Sequence, residues 1–447
     1  MYEKIDLVSL PKKAFWKLSI PIVGFVIFNA IYSLVDMYWV ASFSKEALYA
    51  VSVSTPLFTL ICSFGDSIGQ GANSIMSRYI GTNNYNGSYN SIIHGLIVIF
   101  VVWIICLVAT LGLVNILQIM KITYHIKLVI TYCSPLFICS LTFLLSNYFS
   151  ETLQAEGNSR TPTILMICSN ILNMALDPIF IYTFKLGVVG AAYATILSSI
   201  VCVVAMFYWY ASKRTKIPLS LKFFKIKPKI FFEILKVALP NFIDNAVWCI
   251  SATFINGVLT QEIGPKGILL YATSSKIKDL LIAPVKGFGR GLMSVTGHLF
   301  GAKDIDKLKE MYKYVLKIAL VYAFIISIVF IYFRYNIFHT FKIINMNASI
   351  TAISIVGVII LMSIPLSVIS SKMLDGFGKS YYSFVLTILT IAFQIGLINI
   401  TRIEMAYGIS VLTSITITEF LAGIVNVLII NTLFRRFKAH KEDLKVV

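Results

Sequence analysis

The chain has 447 residues, of which 58% are apolar and 13% charged, where a soluble domain carries about 25% charged residues; its mean hydropathy is +0.84. Each helical crossing of a bilayer takes about 20 apolar residues, so a chain of this composition lies mostly in lipid and has little left for a soluble domain. The net charge of +18 is carried by basic clusters between apolar segments, a pattern that faces anionic lipid and sets orientation and does not point to nucleic acid.

From the N-terminus, Met1 to Lys13 is too charged for the apolar core of a signal peptide. Apolar segments then follow near 14–42, 50–80, 90–114, 128–150, 161–183, 188–211, 231–260, 267–300, 312–334, 348–371, 381–400 and 405–434. They are rich in Ile and Val but do not alternate, and they run two to three times the length of a barrel strand. The sequence therefore predicts an all-α polytopic membrane protein of twelve transmembrane helices. The stretch 213–229, with seven cations and two prolines, divides the chain into an N-lobe (1–212, helices 1–6) and a C-lobe (230–434, helices 7–12), with a basic tail at 435–447. Twelve crossings place both termini on one side. The loops on that side carry 24 Lys and Arg against eight on the other, which puts the termini in the cytoplasm of a cell-membrane protein.

Catalytic machinery is missing from the sequence. The seven cysteines sit inside apolar stretches without a Cys-x-x-Cys, and no His-Glu-x-x-His or Gly-x-Ser-x-Gly occurs. Gly378-Lys379-Ser380 resembles the end of a phosphate-binding loop, but Met373 stands where its first glycine belongs. The reading is a non-enzyme with no bound cofactor.

An internal repeat spans the basic connection. Leu18-Ser-Ile-Pro21 recurs as Val237-Ala-Leu-Pro240 at an offset of 219, Gly69-Gln-Gly71 as Gly289-Arg-Gly291 and Arg78-Tyr-Ile-Gly81 as His298-Leu-Phe-Gly301 at 220, and Gly157 as Gly378 at 221. Six-helix halves in the same orientation imply a pseudo-two-fold axis along the membrane normal with a substrate path between them, the architecture of a transporter.

Six acids lie within the predicted helices: Asp36, Asp66, Asp177, Asp244, Asp279 and Glu419. Each is a functional candidate, because an ionisable group at mid-bilayer costs about 2.5 to 3.5 kcal/mol. Asp66, between Gly65 and Ser67, reads as structural, with no polar neighbour at helical spacing. Asn170, Asn173 and Asp177 share one face of the fifth helix, as Asn29, Tyr32 and Asp36 do on the first. Pro178 cannot donate to the Met174 carbonyl, so an oxygen is freed one turn from Asp177. Carboxylate, amide and carbonyl oxygens suit Na⁺, the carboxylates equally suit a proton, and the alternative for both stripes is polar glue between packed helices.

Leu18-Ser-Ile-Pro21 with Leu34-Val-Asp36, Leu172-Asn-Met-Ala-Leu-Asp-Pro178 and Leu186-Gly-Val-Val-Gly-Ala-Ala-Tyr-Ala-Thr195 resemble the multidrug and toxic compound extrusion (MATE) transporters over essentially the whole chain. The resemblance implies antiport: export of a small organic or amphipathic molecule by rocking of two lobes, driven by Na⁺ or H⁺ moving inward. In the prokaryotic-type branch with an acid in Val-Asp of the first helix, it implies a cation site at Asp36, Asn173, Asp177 and Thr195. Another branch uses carboxylates on helices seven and ten, but segment 348–371 contains no acid, so no second site carries over. Asn29, Tyr32, Asp244, Lys286, Arg290 and Glu419 are candidates for the substrate cavity. For helix eight two readings stand. Lys276, Lys278, Lys286 and Arg290 either neutralise Asp244, Asp279 and Glu419 within the C-lobe, or Lys286 and Arg290, one turn apart, select a substrate with an anionic group. The expected partners are a small-molecule substrate and membrane lipid, with the chain acting as a monomer. The alternative function is a lipid-linked glycan or lipid flippase of the same superfamily, whose members have extra helices; a membrane-embedded transferase lacks any visible acid–base set.

Overall fold

The computed structural model describes residues 7–119, 126–212, 214–217, 224–262, 264–340, 347–401 and 407–439. The side chains of Lys276 and Cys249, linker residues 218–223 and the tail beyond 439 lie outside the described residues. The described chain is all helical: α1 (Pro11–Phe43), α2 (Lys45–Gly81), α3 (Tyr85–Leu111), α4 (Leu113–Ile119), α5 (Ile126–Ile138), α6 (Ser140–Ala155), α7 (Arg160–Pro178), α8 (Val188–Ala211), α9 (Pro228–Glu262), α10 (Gly264–Gly301), α11 (Ile305–Thr340), α12 (Asn347–Gly376), α13 (Tyr381–Thr401) and α14 (Tyr407–Ala439). Twelve long rods result when α5 and α6, bent by 50° at their junction, are taken as one.

Local chemistry sets the ends. Ser44 caps α2 by accepting from the Ala47 N–H at 3.0 Å, and Asn84 caps α3 from the Gly87 N–H at 2.9 Å. After α7 the coil widens into one π-helical turn, Ile179–Thr183, directly beyond the proline that lacks an N–H. Several rods run past their predicted bounds: α6 continues through residue 155, α12 through 376 and α14 through 439. These extra turns matter, because they bring Glu151 and Asp375 into helices and move Lys372 from a presumed loop into α12.

Among the described residues eight rods are long and apolar enough to cross a membrane, and the bent α5–α6 pair is a ninth. The remaining three, α2, α9 and α10, are the rods that meet across the two halves: α2 packs on α9 and α10, and α1 on α10. Asp66 and Asn73 of α2 meet Arg290 and Ser294 of α10 across this seam.

The cores cross over. Ile230, Ile234 and Ala238 of α9 are buried in the core built by α2, α3, α6 and α8, whereas Ala14, Phe15 and Leu18 of α1 are buried with Phe288, Leu292, Met311 and Phe434 of the C-terminal half. Pro21 and Pro240, paired in the repeat, both sit inside these crossing helices. Each half thus embeds the start of its first helix in the other, which is the pseudo-two-fold arrangement seen in packing.

Candidate functional site

The two polar stripes converge. Asn170 Nδ2 donates to Asn29 Oδ1 at 3.2 Å where α7 meets α1. One to two turns further along, Asn173 and Asp177 are fully buried. With its carboxamide turned so that both ends are satisfied, Asn173 donates to Tyr32 Oη at 2.9 Å and to Asp177 Oδ2 at 3.2 Å, and accepts from the Thr195 N–H at 3.0 Å. Thr195 Oγ1, 3.3 Å from the same amide, donates to the Ala191 carbonyl at 2.9 Å. Asp36 lies within hydrogen-bonding reach of Asp177. Tyr132 of α5 is within electrostatic reach of both carboxyls; it forms no polar stripe at helical spacing on its own helix that could have flagged it. Among the described residues no basic side chain is paired with Asp36 or Asp177.

A second buried cluster lies where α2, α6, α9, α10 and α12 meet, and the sequence reading missed it. Arg290 Nη2 donates to both oxygens of Asp66, at 2.9 and 2.8 Å, and Nη1 stands 3.7 Å from Glu151. Gln70 Nε2 donates to Asp66 at 2.8 Å, so Asp66 does have a polar neighbour at i+4 and is not isolated. Lys372 Nζ donates to Gln70 Oε1 at 2.5 Å, Asp375 Oδ2 at 2.8 Å and Asn241 Oδ1 at 3.2 Å. Asn73 Nδ2 donates to Glu151 at 2.9 Å, and Ser294 Oγ donates to Asn73 Oδ1 at 3.2 Å.

These contacts correct the helix-eight readings. Arg290 neither neutralises acids of its own half nor presents a free charge: its guanidinium is held by Asp66 and Glu151 of the N-terminal half. Lys286 does what was expected in part, lying 3.7 Å from Asp279 with both side chains half-exposed. Asp244 lies beside Thr387 of α13, and Glu419 is within electrostatic reach of Lys278 and Asp244. The candidates therefore fall into three places: Asn29 and Tyr32 join the aspartate cluster, Arg290 joins the cross-half network, and Asp244, Glu419 and Lys286 remain in the C-terminal half. Segment 348–371 holds no acid, as read, but α12 runs past it to Gly376 and carries Asp375 in its last turn.

Outside the membrane spans, the chain after α8 is tied to the N-terminal half. Glu156 accepts from the Lys216 N–H at 2.8 Å, Asn90 Oδ1 from the Lys225 N–H at 2.9 Å and His94 Nε2 from the Lys227 N–H at 3.0 Å. Burial pushes the Glu156 carboxyl up to about 8, against the lowering effect of that backbone donor.

A MatE family model matches residues 21–179 and 245–401. The multidrug export protein MepA of Staphylococcus aureus (strain NCTC 8325 / PS 47) is 25% identical over 330 residues, covering 71% of each chain. The outward-facing structure of a multidrug resistance MATE family transporter of the MOP superfamily superposes with a TM-score of 0.92 at 28% identity, covering 98% of this chain and 100% of that one. A MOP superfamily transporter from Pyrococcus furiosus Vc1 (DSM3638), described by a binding pocket of reverse polarity, superposes at 0.91 with 28% identity over 98% of this chain and 100% of its own.

Proposed function

Because the chain belongs to the MatE family of multi-pass membrane transporters, we propose that it exports small organic or amphipathic molecules, drugs among them, by antiport against Na⁺ or H⁺ bound at Asp36, Asn173, Asp177 and Thr195. The observation that carries this reading is the pairing of Asp36 with the buried Asp177, with no cation beside them among the described residues. Two carboxyls that close cannot both stay ionised alone, so the site is completed by a proton shared between them or by Na⁺ among the carboxylate, Asn173 and Thr195 oxygens. Asn173 holds the Asp177 carboxyl in place and also donates to Tyr32. This is the reading of the branch with an N-lobe aspartate site.

Coupling follows from differential affinity. A cation that binds one form of the transporter 100-fold better supplies about 2.7 kcal/mol of bias, enough to invert a modest preference between inward-open and outward-open forms. A cargo that prefers the cation-free form is released as the cation binds. The N-lobe is residues 1–212 and the C-lobe 230–434, joined by the basic 213–229 segment, and the protein acts as a monomer in the cell membrane with both termini cytoplasmic. The basic excess of 24 against eight supports that orientation even with Lys372 withdrawn from the count, and impermeant thiol labelling in 213–229 on intact cells would contradict it. The function itself is tested in liposomes. Efflux of a fluorescent organic cation driven by an imposed Na⁺ or H⁺ gradient is expected in the parent and absent without a gradient; binding of polyprenyl phosphate with no gradient-driven efflux would overturn the reading.

A further inference from the structure

The Gly69-Gln-Gly71 and Gly289-Arg-Gly291 repeat takes no part in the aspartate site, yet its three positions do the same three things in each half. The first glycine leaves room for a charged residue of its own half: a Cβ on Gly69 would meet Glu151 at 2.9 Å, and one on Gly289 would meet Lys372 at 3.0 Å. The last glycine admits the first helix of the opposite half, Ile234 of α9 against Gly71 and Ser19 of α1 against Gly291. The middle residue reaches across: Gln70 accepts from Lys372, and Arg290 faces Glu151 while holding Asp66 with two hydrogen bonds. Lys372 follows Glu151 by 221 residues, the offset of the repeat at Gly157 and Gly378. The two halves therefore use equivalent positions with opposite charge, acidic in the N-terminal half and basic in the C-terminal half.

This network sits inside a seal. Phe64 stacks on Phe242 across the halves at 3.7 Å between ring centroids. Beyond it toward the ends of α2 and α10, Ser74 Oγ donates to the Asp375 carbonyl at 2.5 Å, and Gly81 abuts Gly301. From Phe64 to Gly81 is about 25 Å of helix, and cross-half contacts recur along that length. When they part, Arg290 leaves with one half and Asp66 and Glu151 with the other. Two carboxylates are then left without their cation, and Glu151, 1% exposed here, already has one oxygen that accepts no hydrogen bond and points to Arg290.

We propose that Gln70–Lys372 and Asp66/Glu151–Arg290 form a reciprocal latch that closes the cytoplasmic gate, and that Asp66 and Glu151, once Arg290 withdraws, receive the planar cationic group of a cargo entering from the cytoplasm. The proposal rests on the alternating-access reading above. Arg290 shows the geometry: Nη2 is hydrogen-bonded to both oxygens of Asp66 while Nη1 stands 3.7 Å from Glu151, so the two carboxylates together face both nitrogens of a planar guanidinium or amidinium. Cargo cation and Arg290 compete for one place, so closure of the gate drives the cargo off it into the cleft.

The test is cross-linking and needs no transport. In an otherwise cysteine-free protein, Thr82→Cys and Ala302→Cys mark the exposed ends of α2 and α10 that meet when the halves are closed, and benzamidinium is the probe. The expected result is ready cross-linking in the parent, slowed several-fold by millimolar benzamidinium, and no slowing in Asp66→Asn/Glu151→Gln. Arg290→Gln should cross-link less without any ligand and bind benzamidinium about tenfold more tightly; Arg290→Lys, which keeps the charge and loses the fork, serves if that variant does not fold and should fall between it and the parent. Cross-linking indifferent to benzamidinium in the parent, or equally slowed when both acids are neutralised, would overturn the latch. Gradient-driven efflux that persists alongside such a result leaves the antiport reading standing, and absent efflux with the expected cross-linking overturns antiport alone.

Discussion

The protein sets two pairs of carboxyls among its helices, each with one buried member, Glu151 beside Asp66 and Asp177 beside Asp36, and surrounds them differently. Asp66 and Glu151 are answered by Arg290, with Lys372 close by, supplied from the other half of the chain. Asp36 and Asp177 have each other, Tyr32, Asn173 and Tyr132, all neutral or acidic. At the first pair the cation comes from the opposite half of the chain; at the second none is present among the described residues, and in the proposed antiport it comes from solution. The same residue type meets a cation of the opposite half in one place and, among the described residues, none in the other, although both α1 and α2 pack on the cation-bearing α10.

The largest effect should come from removing the unanswered charge. Asp36→Asn and Asp177→Asn each keep the shape and lose the ionisable group, so each should abolish gradient-driven efflux in liposomes while the purified protein keeps its melting temperature. Full efflux in both single variants would erase the distinction between the clusters.

Breaking the answered pair should cost stability instead. Arg290→Gln leaves buried acids without a cation, a loss of about 3 kcal/mol for a buried ion pair with one partner removed, read as a lower thermal midpoint in detergent. Asp66→Asn/Glu151→Gln added to it should recover most of that loss. If the triple variant is no more stable than the single one, Arg290 acts by packing and not by charge.

How much of this was legible in the sequence depends on which kind of contact a residue makes. The rods, the repeat and the two stripes could be read because they are periodic: Asn29, Tyr32 and Asp36, and Asn170, Asn173 and Asp177, recur at helical spacing on single helices. The network could not, for three physical reasons. Its pairs cross between halves, with Arg290 and Asp66 separated by 224 residues, so no local pattern joins them. Ending the fourth helix at 150 and the tenth at 371 left Glu151 and Lys372 outside the membrane, where charges need no partner. Asp66 has only Gly65 and Ser67 beside it, and the single Gln70 one turn on makes no repeating stripe. Hydropathy marks helix ends poorly when the last turns are polar because they face another half of the protein instead of water.

A smaller effect sharpens the packing side of the comparison. Gly71→Ala would drive a methyl into the Ile234 carbonyl, 2.5 Å from its ideal Cβ, and overpacking of this kind costs about 1 to 3 kcal/mol. Thermal unfolding checks it, and Gly24→Ala, where nothing lies within 4 Å, is the control expected to leave the midpoint unmoved.

The smallest concerns Glu156, which belongs to neither cluster. Its carboxyl, raised to about 8 in the folded protein from an ordinary 4.5, binds a proton more readily folded than unfolded. The associated stability is fully present below about 4.5 and is lost as pH rises through about 8. The parent's melting temperature should therefore decline between pH 6 and 9, and Glu156→Gln should flatten part of that slope. An unchanged slope would remove Glu156 from the account.

The claim that the Asp36–Asp177 pair takes its cation from outside is tested most directly by ligand-dependent thermal stability of the purified protein. All variants, the parent included, carry Glu156→Gln, so that this carboxyl adds no pH response of its own; Na⁺ is titrated at fixed pH and pH is varied at fixed Na⁺, with N-methylglucamine holding ionic strength. The account predicts that at least one of the two cations stabilises the parent, that the response vanishes in Asp36→Asn and in Asp177→Asn, and that it survives in Asp66→Asn. A response that persists in both aspartate variants, or that is lost only with Asp66, would contradict it.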